Sequence, residues 1–113
     1  MQLYLARFNY STDAMKALVD QPQDRSAAAR EMADSLGGKL LGFWYAFGEF
    51  DGVFLMEAPD NASAAAVAMA VGASGALSAV ETTVLLDMDE AQEAMRKAAA
   101  ATYRPPGGFV RVL

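Results

Sequence analysis

The sequence contains no cysteine and no histidine among its 113 residues. Without cysteine there can be no disulfide, no thiolate nucleophile, no iron–sulfur cluster and no zinc–thiolate site. Without histidine there can be no imidazole-bound zinc, no histidine-ligated haem and no histidine general base. A hard cation held by carboxylates alone stays chemically open. The sequence nevertheless predicts neither a metal site nor a cofactor.

Positive charge and long apolar runs are also scarce. Charged residues make up 20% of the chain, and the formal net charge is −5. Binding to nucleic acid needs clustered lysine and arginine, which an acidic surface does not offer. No apolar run approaches the ~18–20 residues of a membrane span, and MQLYLARFNY lacks the features of a signal peptide. We therefore expect a cytoplasmic protein that binds neither nucleic acid nor membrane.

Apolar residues, in contrast, are abundant and make up 54% of the chain. A single domain of this length has a high ratio of surface to volume, so it cannot bury so many apolar side chains within itself. The surplus predicts a second buried surface, most simply between copies of the same chain. We expect a homodimer or a higher homo-oligomer.

The apolar pattern predicts a sheet of four strands with helices between them. Strands are predicted over residues 2–9, 39–47, 52–58 and 76–87. Ser11 and Asp60 are predicted helix N-caps, and Pro22 should kink or divide the first helical region. A further helix is predicted over 88–101. The order βαββαβ predicts a ferredoxin-like α+β fold, a four-stranded antiparallel sheet with helices on one face, plus a C-terminal helix and tail.

The second predicted strand is apolar on both of its faces. Trp44 falls on one side of the strand and Tyr45 on the other. Because the predicted helices cover only one face, the other face should be polar if it meets water. It is not polar, so we expect a second copy to pack sheet against sheet there. The aromatic residues are either core and interface packing or the wall of an apolar pocket, with the Tyr45 hydroxyl as its polar contact.

The stretch FGEFDGVFLMEAPD, residues 47–60, places two carboxylates between two apolar runs. As chemistry, Glu49 and Asp51 could share a proton or hold a cation. As structure, aspartate and glycine are typical of hairpin turns, because aspartate accepts hydrogen bonds from nearby backbone amides. The turn preferences favour the structural interpretation.

One further pair of charged residues is a candidate for a site. Arg7 lies near the end of the first strand and Glu57 near the end of the third, and these strands are neighbours in the ferredoxin-like order. The two side chains could form an ion pair across the sheet. Alternatively, they could project into a cavity and orient a ligand.

Five features of the chain together resemble the GYD domain family. They are LARFNYSTDAMKAL, DRSAAAREMADSLGGKL, the GEFD hairpin, EAPD and GASGALSAVETT. The family has Gly-Tyr-Asp at this hairpin, and here Phe50 stands in place of the tyrosine. The resemblance covers residues 1–90 and implies the fold of a dimeric α/β barrel, but it implies no activity. Residues 91–113 are predicted to be a helix and tail that pack on the same domain or on a partner.

Three functions stay open at this point. The first is a homo-oligomeric module that binds a small apolar molecule between the sheet and a partner subunit. The second is a cofactor-independent enzyme of the dimeric α/β barrel type, an oxygenase or isomerase that uses Tyr45, Arg7 or Asp51. The third is an assembly domain without a ligand. The absence of histidine and cysteine disfavours the enzyme.

Overall fold

The computed structural model describes residues 1–107, so the strand-like FVRVL at 109–113 lies outside the described residues. The elements follow in the order β1 (Gln2–Tyr10), α1 (Thr12–Asp20), α2 (Ser26–Ser35), β2 (Lys39–Tyr45), β3 (Gly52–Ala58), α3 (Asn61–Ala73), β4 (Leu77–Leu85) and α4 (Met88–Ala100). The four strands form one antiparallel sheet in the order β2-β3-β1-β4. The predicted ferredoxin-like α+β fold is confirmed.

Local signals determine where the helices begin. The Ser11 hydroxyl accepts a hydrogen bond from the Ala14 N–H at 3.2 Å and caps α1. An Asp60 carboxylate oxygen accepts one from the Ser63 N–H at 2.8 Å and caps α3. Pro22 lies in the break between α1 and α2, so the first helical region is two short helices, one of the two predicted outcomes.

The hydrophobic core lies between one face of the sheet and the helices α2 and α3. Along β1 the buried and half-buried residues alternate, because successive side chains of a strand point to opposite faces. The core consists of Tyr4, Ala6, Phe8, Ala33, Leu40, Phe54, Met56, Ala58, Ala64 and Val67. We call this side of the sheet the covered face.

The helix α4 contributes nothing to this core. None of its residues is buried, and its apolar residues Met88 and Met95 are largely exposed. Asp87 caps it by accepting a hydrogen bond from the Glu90 N–H at 2.7 Å. Packing of this helix against a partner subunit stays a prediction. Among residues 1–107, no helix is both long and apolar enough to cross a lipid bilayer.

Candidate functional site

The second face of the sheet, which we call the open face, has no buried side chain. Because pairs across a sheet share a face, the strand registers place the residues on it. They are Leu3, Leu5, Arg7, Lys39, Trp44, Val53, Leu55, Glu57, Glu81, Thr83 and Leu85. The open face thus has apolar side chains at its centre, and charged side chains lie on the same face.

Trp44 is the largest side chain of the open face. A Cβ atom on Gly42 would come within 2.2 Å of the indole ring, so only glycine leaves room for the ring at this point of β2. The ring thereby lies flat along its own strand, and 52% of the residue is exposed. A flat aromatic surface of this kind is typical of protein interfaces and of pocket walls.

The predicted ion pair between Arg7 and Glu57 is wrong. The register places Glu57 opposite Leu3, whereas Arg7 is opposite Val53 on one side and Glu81 on the other. Arg7 Nη2 lies 2.5 Å from Glu81 Oε1 and forms a salt bridge with it. The positions of Arg7 and Glu57 along their strands did not reveal which residue is opposite Arg7, because that depends on the register between the strands. Glu57 is opposite Lys39 of β2 instead.

A second interaction orients the Arg7 guanidinium. Its central carbon lies 4.8 Å from the centre of the Phe50 ring, a cation–π arrangement. The Arg7 Nε is buried and has no hydrogen-bond partner among residues 1–107. Phe50 occupies the position at which the family has a tyrosine. The Phe50 ring contacts Arg7, but it carries no hydroxyl that could form a hydrogen bond.

Asp51 fastens the end of β1 to the β2–β3 hairpin. Its carboxylate Oδ2 accepts a hydrogen bond from the Tyr10 N–H at 2.9 Å. Its own N–H donates to Phe8 O and to Asn9 Oδ1, each at 2.9 Å. The Asn9 amide in turn donates to the backbone oxygen of Glu49 at 3.1 Å. The Asp51 carboxylate thus has a structural partner, and roles for Glu49 and Asp51 in binding stay predictions.

Tyr45 projects from the covered face, on the side of the sheet opposite to Trp44. Its hydroxyl lies 2.8 Å from the hydroxyl of Tyr10, and the two rings are nearly perpendicular at 5.9 Å between centres. Burial, followed by the hydrogen bond to Tyr45, strongly raises the pKa of Tyr10. The Tyr10 hydroxyl therefore stays protonated at neutral pH and can donate a hydrogen bond.

Beside these tyrosines lies a cleft between α2, α3 and the covered face, with a volume of about 220 Å³. We call it the helix-side cleft. It is lined by Phe8, Tyr10, Arg25, Ala28, Ala29, Met32, Phe43, Phe54, Ala70, Val71, Ser74, Ala76 and Leu77. Apolar side chains dominate this lining, and Arg25 is its one charged residue. Concave, largely apolar sites with a few polar groups are the usual form of small-molecule sites.

The floor of the cleft is a cluster of aromatic rings. Phe8 lies 5.2 Å from Tyr10, 5.7 Å from Phe43 and 6.1 Å from Phe54, measured between ring centres. Phe43 and Phe54 stack with an interplanar angle of 3° at 6.1 Å. The cluster is continuous with the core, because Phe8 and Phe54 are buried and Phe43 packs against them.

Sequence reasoning missed this cleft. Neither Arg25 nor the alanine-rich helix α3 was among its candidates for a site. The available signal was the pairing of small residues on two helices, such as Ala28 and Ala70, with aromatic residues on the strands beneath them. Small side chains above large rings leave space only if the helices do not close upon the sheet, and that spacing is a property of the tertiary structure.

The predicted site residues do not converge within one chain. Arg7, Glu57 and Trp44 belong to the open face, whereas Tyr45 belongs to the covered face. A single cavity lined by Arg7, Tyr45 and Glu57 is therefore not formed by residues 1–107. Nor do the acidic residues of this described part form any cluster of three or more that could hold a metal ion.

The fold and its hairpin define a ferredoxin-like α+β domain. A family model described as the GYD domain matches residues 4–95, which is most of the chain. The protein belongs to the GYD domain family, as the five sequence features indicated. The family match ends at residue 95, within α4, five residues beyond the predicted limit of the resemblance at residue 90.

No curated protein matches the chain. Among solved structures, the crystal structure of MtbAldR is similar at 12% identity with a TM-score of 0.48. The similarity covers 76% of this chain and 52% of that one, so the chain spans about half the length of that neighbour.

Proposed function

We propose that this GYD domain is a homo-oligomeric module that binds a small apolar molecule in the helix-side cleft. The observation that carries the proposal is an apolar space of about 220 Å³ with a floor of packed aromatic rings. An engineered apolar cavity of about 150 Å³ is sufficient to bind benzene, so this cleft has room for a somewhat larger, two-ring molecule. We also propose the cytoplasm as its location.

The expected affinity is moderate. A two-ring molecule with about 13 non-hydrogen atoms, at ~0.5 kcal/mol per atom, gains ~6 kcal/mol on binding. This corresponds to a dissociation constant of tens of micromolar. The cleft is open at one side, where Arg25 lies exposed, so ligand exchange needs no large movement of the helices.

The experiment is a titration of the protein with a neutral aromatic probe, 2-naphthamide, in which calorimetry measures the binding. Ala28→Phe places a ring into the cleft and should weaken binding at least tenfold, because the new side chain occupies the ligand's volume. Ala27→Phe is the matched control, since Ala27 lies on the same helix, is exposed and does not line the cleft. Circular dichroism confirms that both variants fold. Equal binding to both variants, or no binding to the unmodified protein, would contradict the proposal.

The homo-oligomeric part of the proposal is supported by the open face. Trp44, Leu5, Leu55 and Val53 form an apolar surface that no element of residues 1–107 buries. A stable interface removes about 800 Å² of surface from each partner, and a whole sheet face is of that order. A ligand between this face and a partner stays a second candidate location, because Trp44 there offers a flat aromatic wall.

The alternative of an enzyme that uses Tyr45, Arg7 or Asp51 has less support. Arg7 and Tyr45 project from opposite faces, and the Asp51 carboxylate is hydrogen-bonded to the Tyr10 N–H. General acid–base catalysis needs its groups within hydrogen-bond reach of one substrate. Of these three residues, only Tyr45 lies beside the cleft, through its hydrogen bond to Tyr10.

A further inference from the structure

We propose that the ligand of the helix-side cleft is amphiphilic, with an apolar ring body and one carboxylate group that Arg25 binds. This inference rests on the proposed function and names the chemical class of the ligand. It depends on three features, which are the charge of the lining, the availability of Arg25 and the pair of tyrosine hydroxyls at the cleft.

The first feature is the isolation of one positive charge in an apolar lining. Arg25 is the only ionised residue among those that line the cleft, and the chain as a whole carries a net charge of −5. A cation placed against a low-dielectric wall interacts with an anion more strongly than it would in water. Arginine is suited to this task, because its planar fork of N–H donors matches a carboxylate.

The second feature is that the Arg25 guanidinium is available. Within residues 1–107 the ion pairs are Arg7 with Glu81 and Arg96 with Glu93, so Arg25 has no carboxylate partner there. Its one side-chain hydrogen bond goes from Nη1 to the neutral Gln23 Oε1, at 3.3 Å. Most of the five N–H donors of the guanidinium are therefore free for a ligand.

The neighbouring carboxylate does not compete for this cation. Asp24 Oδ1 accepts hydrogen bonds from the Ser26 N–H at 2.9 Å and from the Ser26 hydroxyl at 2.6 Å. These bonds, followed in importance by the charge of Arg30, hold the pKa of Asp24 below its ordinary value. Asp24 is thus engaged with the start of α2, and it does not line the cleft.

The third feature is the pair of tyrosine hydroxyls. Tyr10 lines the cleft, and its hydroxyl lies 2.8 Å from that of Tyr45. One of the two hydrogens links the pair, and the other stays free to donate to an acceptor. Arg25 and Tyr10 both line the cleft, so a ligand bound there can reach both residues. When Tyr10 accepts the hydrogen bond from Tyr45, its own hydrogen is free, and a carboxylate bound by Arg25 can accept it.

The test compares two probes of nearly the same shape, 2-naphthoate and 2-naphthamide, by calorimetry at pH 7.5 and low salt. We expect the unmodified protein to bind the carboxylate at least about tenfold more tightly, the factor that one charge-assisted hydrogen bond provides. Added salt should reduce this preference.

Two substitutions of one charge each identify the residue responsible. Arg25→Gln should abolish the preference for naphthoate and leave the affinity for naphthamide within about twofold, because a neutral ligand gains little from the cation. Arg30→Gln, which removes the same charge from α2, the helix that Arg25 precedes, at a position outside the cleft, should keep the preference. Arg25→Lys should keep part of it.

The outcomes separate the inference from the function on which it rests. If naphthamide binds but naphthoate binds no better, or if the preference survives Arg25→Gln, the carboxylate inference is wrong and the apolar cleft stands. If neither probe binds to the unmodified protein, the proposed function fails and the inference fails with it.

Discussion

The two faces of this sheet are made by the same four strands, yet they differ in how far their side chains are buried. On β1, Tyr4, Ala6 and Phe8 are buried beneath the helices, whereas the alternating residues Leu3 and Leu5 are only half-buried. Both sets are apolar, so alternation alone does not distinguish a covered face from an open one. Coverage is decided by which side the connecting helices pack on, and no element of residues 1–107 covers the other side.

The two faces also differ in their polar groups. The open face has charged residues in rows, with Arg7 bonded to Glu81 and Lys39 opposite Glu57. On the covered face, the Tyr4 hydroxyl donates to Asn61 Oδ1 at 2.6 Å, and the hydroxyls of Tyr10 and Tyr45 meet at the edge of the cleft. Charged rows within an apolar surface favour one orientation of a partner, whereas an apolar floor with a hydroxyl rim favours a small ligand.

The sharpest way to break this comparison is to place a charge in the centre of the open face. Leu55 lies there, opposite Leu5 on one side and Gly42 on the other. If a second copy covers this face, Leu55→Lys should weaken self-association at least a hundredfold, because burying an unpaired ammonium costs several kcal/mol. Sedimentation velocity at micromolar concentration measures the change.

The matched control for that experiment is Val19→Lys. Val19 is an exposed apolar residue on α1 and is not part of the open face, so this variant should associate like the unmodified protein. An unmodified protein that sediments as a monomer at micromolar concentration would overturn the pairing of open faces.

A smaller effect, on the free energy of unfolding, is expected at the end of β1, where Asp51 joins this strand to the β2–β3 hairpin. Asp51→Ala removes the acceptor of the Tyr10 N–H and should lower the free energy of unfolding by about 2 kcal/mol. Glu49→Ala is the control, since Glu49 takes part through its backbone oxygen alone, and should cost less than about 0.5 kcal/mol. Urea denaturation measures both variants. Equal losses would show that the Asp51 carboxylate is not the tie.

The smallest predicted effect is a loss of stability at alkaline pH that originates on the covered face. Burial raises the pKa of Tyr10 in the folded state, so the unfolded chain loses its proton first. Stability from this group is complete below the unfolded pKa of about 10 and is lost as pH rises toward the folded pKa.

Thermal melting between pH 8 and pH 11 measures this loss. Tyr45→Phe removes the hydrogen bond that contributes to the shift, so its melting temperature should fall less steeply with pH. Tyr103→Phe is the control, because Tyr103 is exposed and should leave the slope unchanged. Parallel slopes for all three proteins would mean that the tyrosine pair does not control alkaline stability.

Much of the fold was predictable because its signals are local. Ser11 and Asp60 cap the helices that follow them, and the region around Pro22 divides the first helical segment. The end of β2 was predicted two residues too late. The Ala46 N–H donates to Asp51 O at 2.8 Å and closes the hairpin there, which leaves Phe47 outside the strand.

The candidate site was less predictable because it depends on distances between elements. The salt bridge of Arg7 with Glu81 joins residues 74 positions apart, and it required the register between β1 and β4. The role of Phe50 required the hairpin to fold back over Arg7. Neither relation has a signature in the neighbouring sequence.

The sequence by itself determined the order of elements, the helix caps, the family and the absence of thiol and imidazole chemistry. Each of these follows from residue types and their spacing along the chain, which no folding step alters. Only the tertiary structure decided that Tyr45 joins Tyr10 on the covered face while Arg7 remains on the open face. It also decided that α2 and α3 leave a cleft above the aromatic floor, because the distance between packed helices depends on every side chain between them.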